Sequence, residues 1–283
     1  MARRLQERPV GPPPAPGRRL EPLRAARIAG LYVRIGVMNE MQYRINFFIQ
    51  LFQSILALGT GLVVLALVFS HTGRLNGWNE PQLLAVLGIQ ILMGGLIHTF
   101  IQPNMERMMN EIRDGKLDYA LTKPQDAQLL VSVRQVRLWQ GVDVLSGGIV
   151  LGVAISKLQA GVGLIDSLAF LVALVLGAVM IYCFWLIIGV VAFWAVQIFE
   201  AIELFEGVFQ TGRWPVSVYP VWLKFGLTFL VPIAFAVTVP AEAVTSRLTG
   251  LTLLGAAGFA VALFAFTRWF WRRGLRRYAG ASA

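Results

Sequence analysis

Apolar residues in this chain come in long runs, and polar residues come in short bands between them. Residues 45–73, 81–105, 167–199 and 248–267 carry no charge. Two further runs carry one charge each: 138–156 holds Asp143 and 214–241 holds Lys224. A helix needs about 20 apolar residues to cross the hydrocarbon core of a bilayer, and each run can supply one. The pattern predicts an all-α polytopic membrane protein with six transmembrane helices. The run 167–199 exceeds one crossing and reads as a single tilted span that emerges near Gln197. The run 214–241 is the expected fifth span, with Pro215 and Pro220 breaking helicity before it and Pro232 kinking it.

The polar bands have patterns of their own. After the second span, Met105, Met108, Met109 and Ile112 recur at i, i+3, i+4 and i+7, the spacing of one helix face. Asn104 is the expected N-cap. Glu106, Arg107, Asn110, Glu111, Arg113 and Asp114 fall elsewhere, and Gly115 suits a left-handed C-terminal cap. In 116–124 (KLDYALTKP), Leu117, Tyr119 and Leu121 alternate with polar residues, which predicts an extended strap. After the fourth span, Phe199, Ile202, Phe205 and Phe209 share a face of a short helix, opposite Glu200, Glu203, Glu206 and Gln210. The first 22 residues hold Pro9, Pro12, Pro13, Pro14, Pro16 and Pro22 and are expected to be a disordered basic arm. They have no apolar core, so no cleavable signal peptide is expected. From Leu23, residues Ile28, Leu31, Ile35, Met38 and Ile45 predict an amphipathic helix lying in the interface.

Charge adds orientation. Lys and Arg collect in loops on the cytoplasmic side of membrane proteins. With six spans, the N-terminal arm, the band between spans two and three, the tail, Arg213 and Lys224 share one side and hold 22 of the 25 basic residues. Only Arg74, Lys157 and Arg247 fall opposite. Both termini are therefore expected in the cytoplasm, at an inner membrane. The net charge of +10 is explained by anionic lipid headgroups and calls for no nucleic acid. Hydrophobic residues make up 57% of the chain and charged residues 14%. Soluble domains carry about a quarter charged residues, so the composition agrees with the span count.

Catalytic chemistry finds little footing. The single Cys183 excludes an internal disulfide, and His71 and His98 are too few for a metal cluster. Gly115-Lys116 lacks the remaining residues of a phosphate-binding loop. Asp143 is the one carboxylate inside a span, and a local ion pair with Arg137 accounts for it better than a translocation role. His98, Gln50, Gln53 and Gln90 are expected to make interhelical hydrogen bonds. Gly148 and Gly152 form a G-x-x-x-G step that permits close helix contact.

Two stretches carry a resemblance. Residues 111–124 (EIRDGKLDYALTKP) are similar to a loop pattern G-x-[LI]-D-x-x-L-x-[KR]-P, met here by Gly115, Leu117, Asp118, Leu121, Lys123 and Pro124. Residues 214–241 are similar to a second pattern, met by Pro215, Tyr219, Pro220, Thr228, Phe229, Pro232, Pro240 and Ala241. With the order of spans and bands, about residues 25–275 resemble the membrane subunits of ABC type-2 exporters. The resemblance implies a non-catalytic transmembrane permease domain over 23–275, followed by a short basic tail at 276–283. It implies no cofactor on this chain, with ATP and Mg on partner ATPase subunits, and a second permease, either itself or a similar chain. The loop between spans two and three would be the coupling helix. Glu106, Arg107, Glu111, Arg113, Asp114 and Lys116 would dock the ATPase, and Asp118 and Lys123 would shape the strap. A hydrophobic or amphipathic cargo is expected. The alternative is a membrane scaffold or channel without an ATPase.

Overall fold

A computed structural model describes residues 44–123, 126–158, 163–194 and 200–278, with Gly30 and Met38 as isolated positions. The basic arm, the interfacial helix, Pro124 and the last five residues lie outside the described residues. Among the described residues the chain is helical, and the only strand-like pairing is a bridge between Leu75 and Trp78. We label the helices α1 (Arg44–His71), α2 (Glu80–Leu96), α3 (Gln102–Arg113), α4 (Asp118–Leu121), α5 (Ala127–Ser132), α6 (Gly141–Lys157), α7 (Leu164–Val191), α8 (Glu200–Phe209), α9 (Val221–Phe225), α10 (Val239–Val244) and α11 (Gly250–Leu275). Five helical stretches are long and apolar enough to cross a membrane: Ile45–His71, Glu80–Arg113, Leu138–Lys157, Leu164–Val191 and Gly250–Leu275. A sixth candidate is a bent pair, Val221–Leu230 and Ala234–Val244, with 81° between its limbs.

The α2–α6 pair forms the tightest contact, and glycine makes it possible. Gly88 and Gly95 lie seven residues apart, on one face of α2. A Cβ on Gly88 would sit 2.7 Å from the Leu151 backbone nitrogen, and one on Gly95 would sit 2.6 Å from that of Val144. Gly147 on α6 answers them against Leu92 and Gly88. Apolar side chains gain nothing by leaving lipid, so close backbone packing holds membrane helices together. The expected step at Gly148 and Gly152 is not the contact. A Cβ at either would meet nothing within 4 Å. The contacting glycine is one residue earlier, about 100° around the helix. At its start α2 has a full capping box: Gln82 N–H donates to Asn79 Oδ1 and Asn79 N–H donates to Gln82 Oε1, both at 3.1 Å.

The fifth span differs from expectation. Ser217, ahead of the bent pair, accepts from Asn76 Nδ2 (2.5 Å) and from Trp78 Nε1 (3.2 Å). Arg247, just after it, donates to Gly77 O at 2.5 Å and to Gln82 at 2.8 Å. Both flanks therefore meet the α1–α2 loop at the same end of the bundle. The limbs of 10 and 11 residues span about 15–17 Å at 1.5 Å per residue, half of a bilayer core of about 30 Å. Residues 214–244 form a hairpin that enters and leaves at one end, and Pro232 lies at its corner. Pro215 and Pro220 do break helicity: both are extended, and α9 starts directly after Pro220.

The return crossing is made earlier, by the described residues from Glu200 to Ser217. Phe193 packs against Trp271 and Tyr278 near the end of α11. Phe205 then meets Trp185 at a centroid distance of 4.9 Å, Phe209 reaches Gly94, and Gly212 lies against Gln90 and Val237. The chain thus climbs α2 from one end to the other. Arg213 lies within this crossing and Lys224 follows it, so both leave the basic end, contrary to the assignment from sequence. Among the described residues, twelve basic residues remain on the basic side against four opposite, so the asymmetry survives.

A polar junction at the basic end of the bundle

The junction begins with Pro103. Proline has no N–H, so the carbonyl four residues earlier, Thr99 O, loses its helical donor. The helix widens into a π turn at Ile97–Ile101, a distortion common at functional sites. The incoming chain fills the gap: Arg137 N–H donates to Thr99 O at 3.1 Å. Asn104 completes the staple. Its Nδ2 donates to Phe100 O and to Gln135 O, both at 2.7 Å, and its Oδ1 accepts from Gln135 N at 2.8 Å. Asn104 is therefore not the N-cap of a separate helix. α2, the π turn and α3 form one continuous 34-residue helix, and Asn104 ties it to the segment leading into α6.

α3 is amphipathic as its spacing predicts. Met105, Met108, Met109 and Ile112 are all buried, each contributing about 1.5–3 kcal/mol by burial. Gly115 has φ +68°. Lys116 N–H bonds to Glu111 O at 2.8 Å and Gly115 N–H to Ile112 O at 3.2 Å, the Schellman arrangement that glycine favours. The strap is not extended. Asp118–Leu121 makes one helical turn, with Leu117 and Ala120 fully buried and Tyr119 78% exposed. The apolar interval that matters is three, not two.

The eight charged candidates divide. Glu106 faces inward, bonded to Arg137 Nη2 at 2.5 Å and to Gln102 Nε2 at 2.8 Å. Glu111 takes Arg134 Nη1 on both carboxylate oxygens (3.0 and 2.8 Å) and Arg107 Nε at 2.9 Å. The Arg134 side chain is only 7% exposed. These carboxylates brace α3 against residues 134–137. Arg107, Arg113, Asp114, Lys116 and Lys123 are exposed, and Asp118 is half-buried. Lys116 bonds to Asp114 at 3.1 Å, and Arg113 lies 3.5 Å from it. The Lys116 bond and charge hold the Asp114 carboxyl below its usual range.

Further bonds fasten this frame to α7 and α11. Asp126 caps α5 by accepting from Gln128 N and Leu129 N. Both its oxygens also accept from Arg268, which donates to Gln128 Oε1 at 2.6 Å as well. Tyr182 of α7 meets Ser132 at 2.8 Å and Gln128 at 3.3 Å. The Arg268 hydrogen bond holds the Asp126 carboxyl below the usual carboxylate range, with desolvation opposing it. A depressed carboxylate stabilises the fold above its ordinary pKa of about 4 and loses that contribution as pH falls through the lowered value. Thermal melts at falling pH should therefore show an acid-dependent loss that Asp126→Asn flattens. Identical slopes for the two proteins would contradict this clamp.

The intramembrane candidates scatter. Asp143 does not pair with Arg137, which is taken by Glu106. It accepts from Gln50 Nε2 at 3.0 Å and from Ser54 Oγ, both on α1. Gln50 thus bridges helices as expected. Gln90 is buried beside Gly212, and Gln53 is exposed. His98 touches Gln102 at 2.6 Å and Glu206 at 3.5 Å. Sequence reasoning passed over the structural roles of Asp126, Arg134 and Arg268, which have no periodicity to mark them. No group of three or more His, Cys, Asp or Glu that could hold a metal occurs among the described residues.

This architecture is that of a multi-pass helical membrane protein whose polar machinery is concentrated at one end. No curated protein and no solved structure matches the chain. The profile of the ABC-2 family transporter proteins matches residues 55–282, from the middle of α1 through the C-terminal tail. The chain belongs to the ABC-2 transporter family and is a membrane permease of that kind.

Proposed function

We propose that this permease is the transmembrane subunit of an ABC exporter in a bacterial inner membrane, with its basic end and both termini in the cytoplasm. A second permease, identical or similar, completes the pathway, and separate ATPase subunits carrying ATP and Mg drive it. The cargo is hydrophobic or amphipathic. The observation that best supports this is α3. It continues α2 without a break, is braced by ion pairs to Arg134 and Arg137, and presents Arg107, Arg113, Asp114 and Lys116 outward. A rigid rod with a charged tip converts a push from a soluble partner into movement of a span, whereas a flexible loop would absorb it.

The test is affinity purification of the tagged chain from native membranes in mild detergent, with mass spectrometry of what accompanies it. Wild type should retain an ATPase in about equal amount. Arg113→Glu with Lys116→Glu should reduce that recovery at least about tenfold, because reversing charges in a complementary interface costs several kcal/mol. Membrane insertion should not change, since both side chains are exposed. An ATPase recovered equally with both proteins would refute the docking face. A preparation without any ATPase, repeated in lipid discs, would favour a scaffold or channel.

A further inference from the structure

His98 stands between two acceptors on different elements. Its Nδ1 is 2.6 Å from Gln102 Oε1 and 3.5 Å from Glu206 Oε1. The orientation of Gln102 is fixed by its other end, where Nε2 donates to Glu106 Oε1 at 2.8 Å. A flipped amide would set oxygen against the Glu106 carboxylate. Both neighbours of Nδ1 are therefore acceptors, and Nδ1 carries the proton. One N–H makes one strong bond. Gln102 takes it, and the buried Glu206 Oε1 has no hydrogen-bond partner among the described residues.

Each acceptor lies on a different element. Gln102 opens α3, and through Glu106 it reaches Arg137 (2.5 Å) at the start of the next span. Glu206 lies on α8, in the segment that makes the return crossing. His98 itself sits in the π turn, where the helical register is already relaxed. An approach of about 0.7 Å would bring Glu206 to normal bonding distance. We infer that His98 is a two-position donor: its Nδ1–H donates to Gln102 in the arrangement seen here and to Glu206 when α8 closes on α2. Losing the His98 bond frees Gln102 and loosens its hold on Glu106, so α3 and α8 do not rearrange independently. The link to ATP rests on the proposed function; the two-position donor does not.

The chain has two histidines, so His71→Gln leaves His98 as the only imidazole. Solid-state NMR of 15N-histidine-labelled protein in lipid then reads Nδ1 directly. The expected result is a protonated Nδ1 with two populations. Glu206→Ala should collapse them to the Gln102-bonded form, and Gln102→Leu should leave only the other. An unprotonated Nδ1, or a single signal indifferent to Glu206→Ala, overturns the inference; should Gln102→Leu not fold, Glu206→Ala decides alone. In the purified complex, ATP with vanadate should move the ratio several-fold toward the Glu206 form. An intact ATPase complex whose ratio does not move refutes the coupling while leaving the exporter reading standing. Failure to recover any ATPase refutes the exporter reading and leaves the first test valid.

Discussion

Gly147→Leu will yield no folded protein. A Cβ at this position collides with the backbone of Leu92 and Gly88 on the facing helix, and backbone in a regular helix cannot step aside as a side-chain end can. The cost exceeds the about 1–3 kcal/mol of ordinary core overpacking, because the whole α2–α6 contact must separate. Fluorescence-detected size exclusion of solubilised membranes reads the outcome: a monodisperse peak for wild type and aggregate for the variant. Gly148→Leu and Gly152→Leu are the controls, since both face open space and should elute as wild type. Equal behaviour of all three would mean that α2 and α6 do not meet through Gly147.

Arg134→Ala will cost about 3–5 kcal/mol, the usual penalty for stranding one partner of a buried ion pair. Glu111 would keep its desolvated carboxylate and lose both bonds from Arg134. Arg107 also bonds to Glu111, but its side chain is 46% exposed. An exposed i, i+4 pair contributes well under about 1 kcal/mol, so Arg107→Ala should barely move the melting temperature. The two arginines share one carboxylate, which makes the contrast a test of burial rather than of charge. Similar losses for both would place Arg134 at the surface.

How much of this could be read from the sequence depends on what each signal measures. Runs with no charge or a single one report burial in lipid, and they located α1, α2, α6, α7 and α11. The return crossing escaped because α8 packs Glu200, Glu203 and Glu206 into ten residues, which cancels its apolar signal. The run 214–241 was misread for the complementary reason. It is apolar enough to span, yet Pro232 turns it back halfway. Helical periodicity found the buried face of α3 without help. The spacing of Gly148 and Gly152 said which residues share a face, but not whether that face meets a partner. Asn104 shows the same limit. Its residue type fits a cap, but Pro103 had freed a carbonyl and the segment at 135–137 arrived to fill it, a contact only the fold creates. The charged band likewise gave no sign that Glu106 and Glu111 brace the helix from within while Arg113 and Lys116 face out.

On the proposed function, the exposed tip of α3 meets a nucleotide-hydrolysing partner. A photo-crosslinking amino acid placed at Lys116, illuminated in native membranes, tests it most directly, with the same probe at Arg74 on the opposite end as reference. The account predicts that an ATPase subunit is captured from position 116 and not from position 74. Capture from 74, or none from 116 in membranes where the ATPase is present, would contradict it.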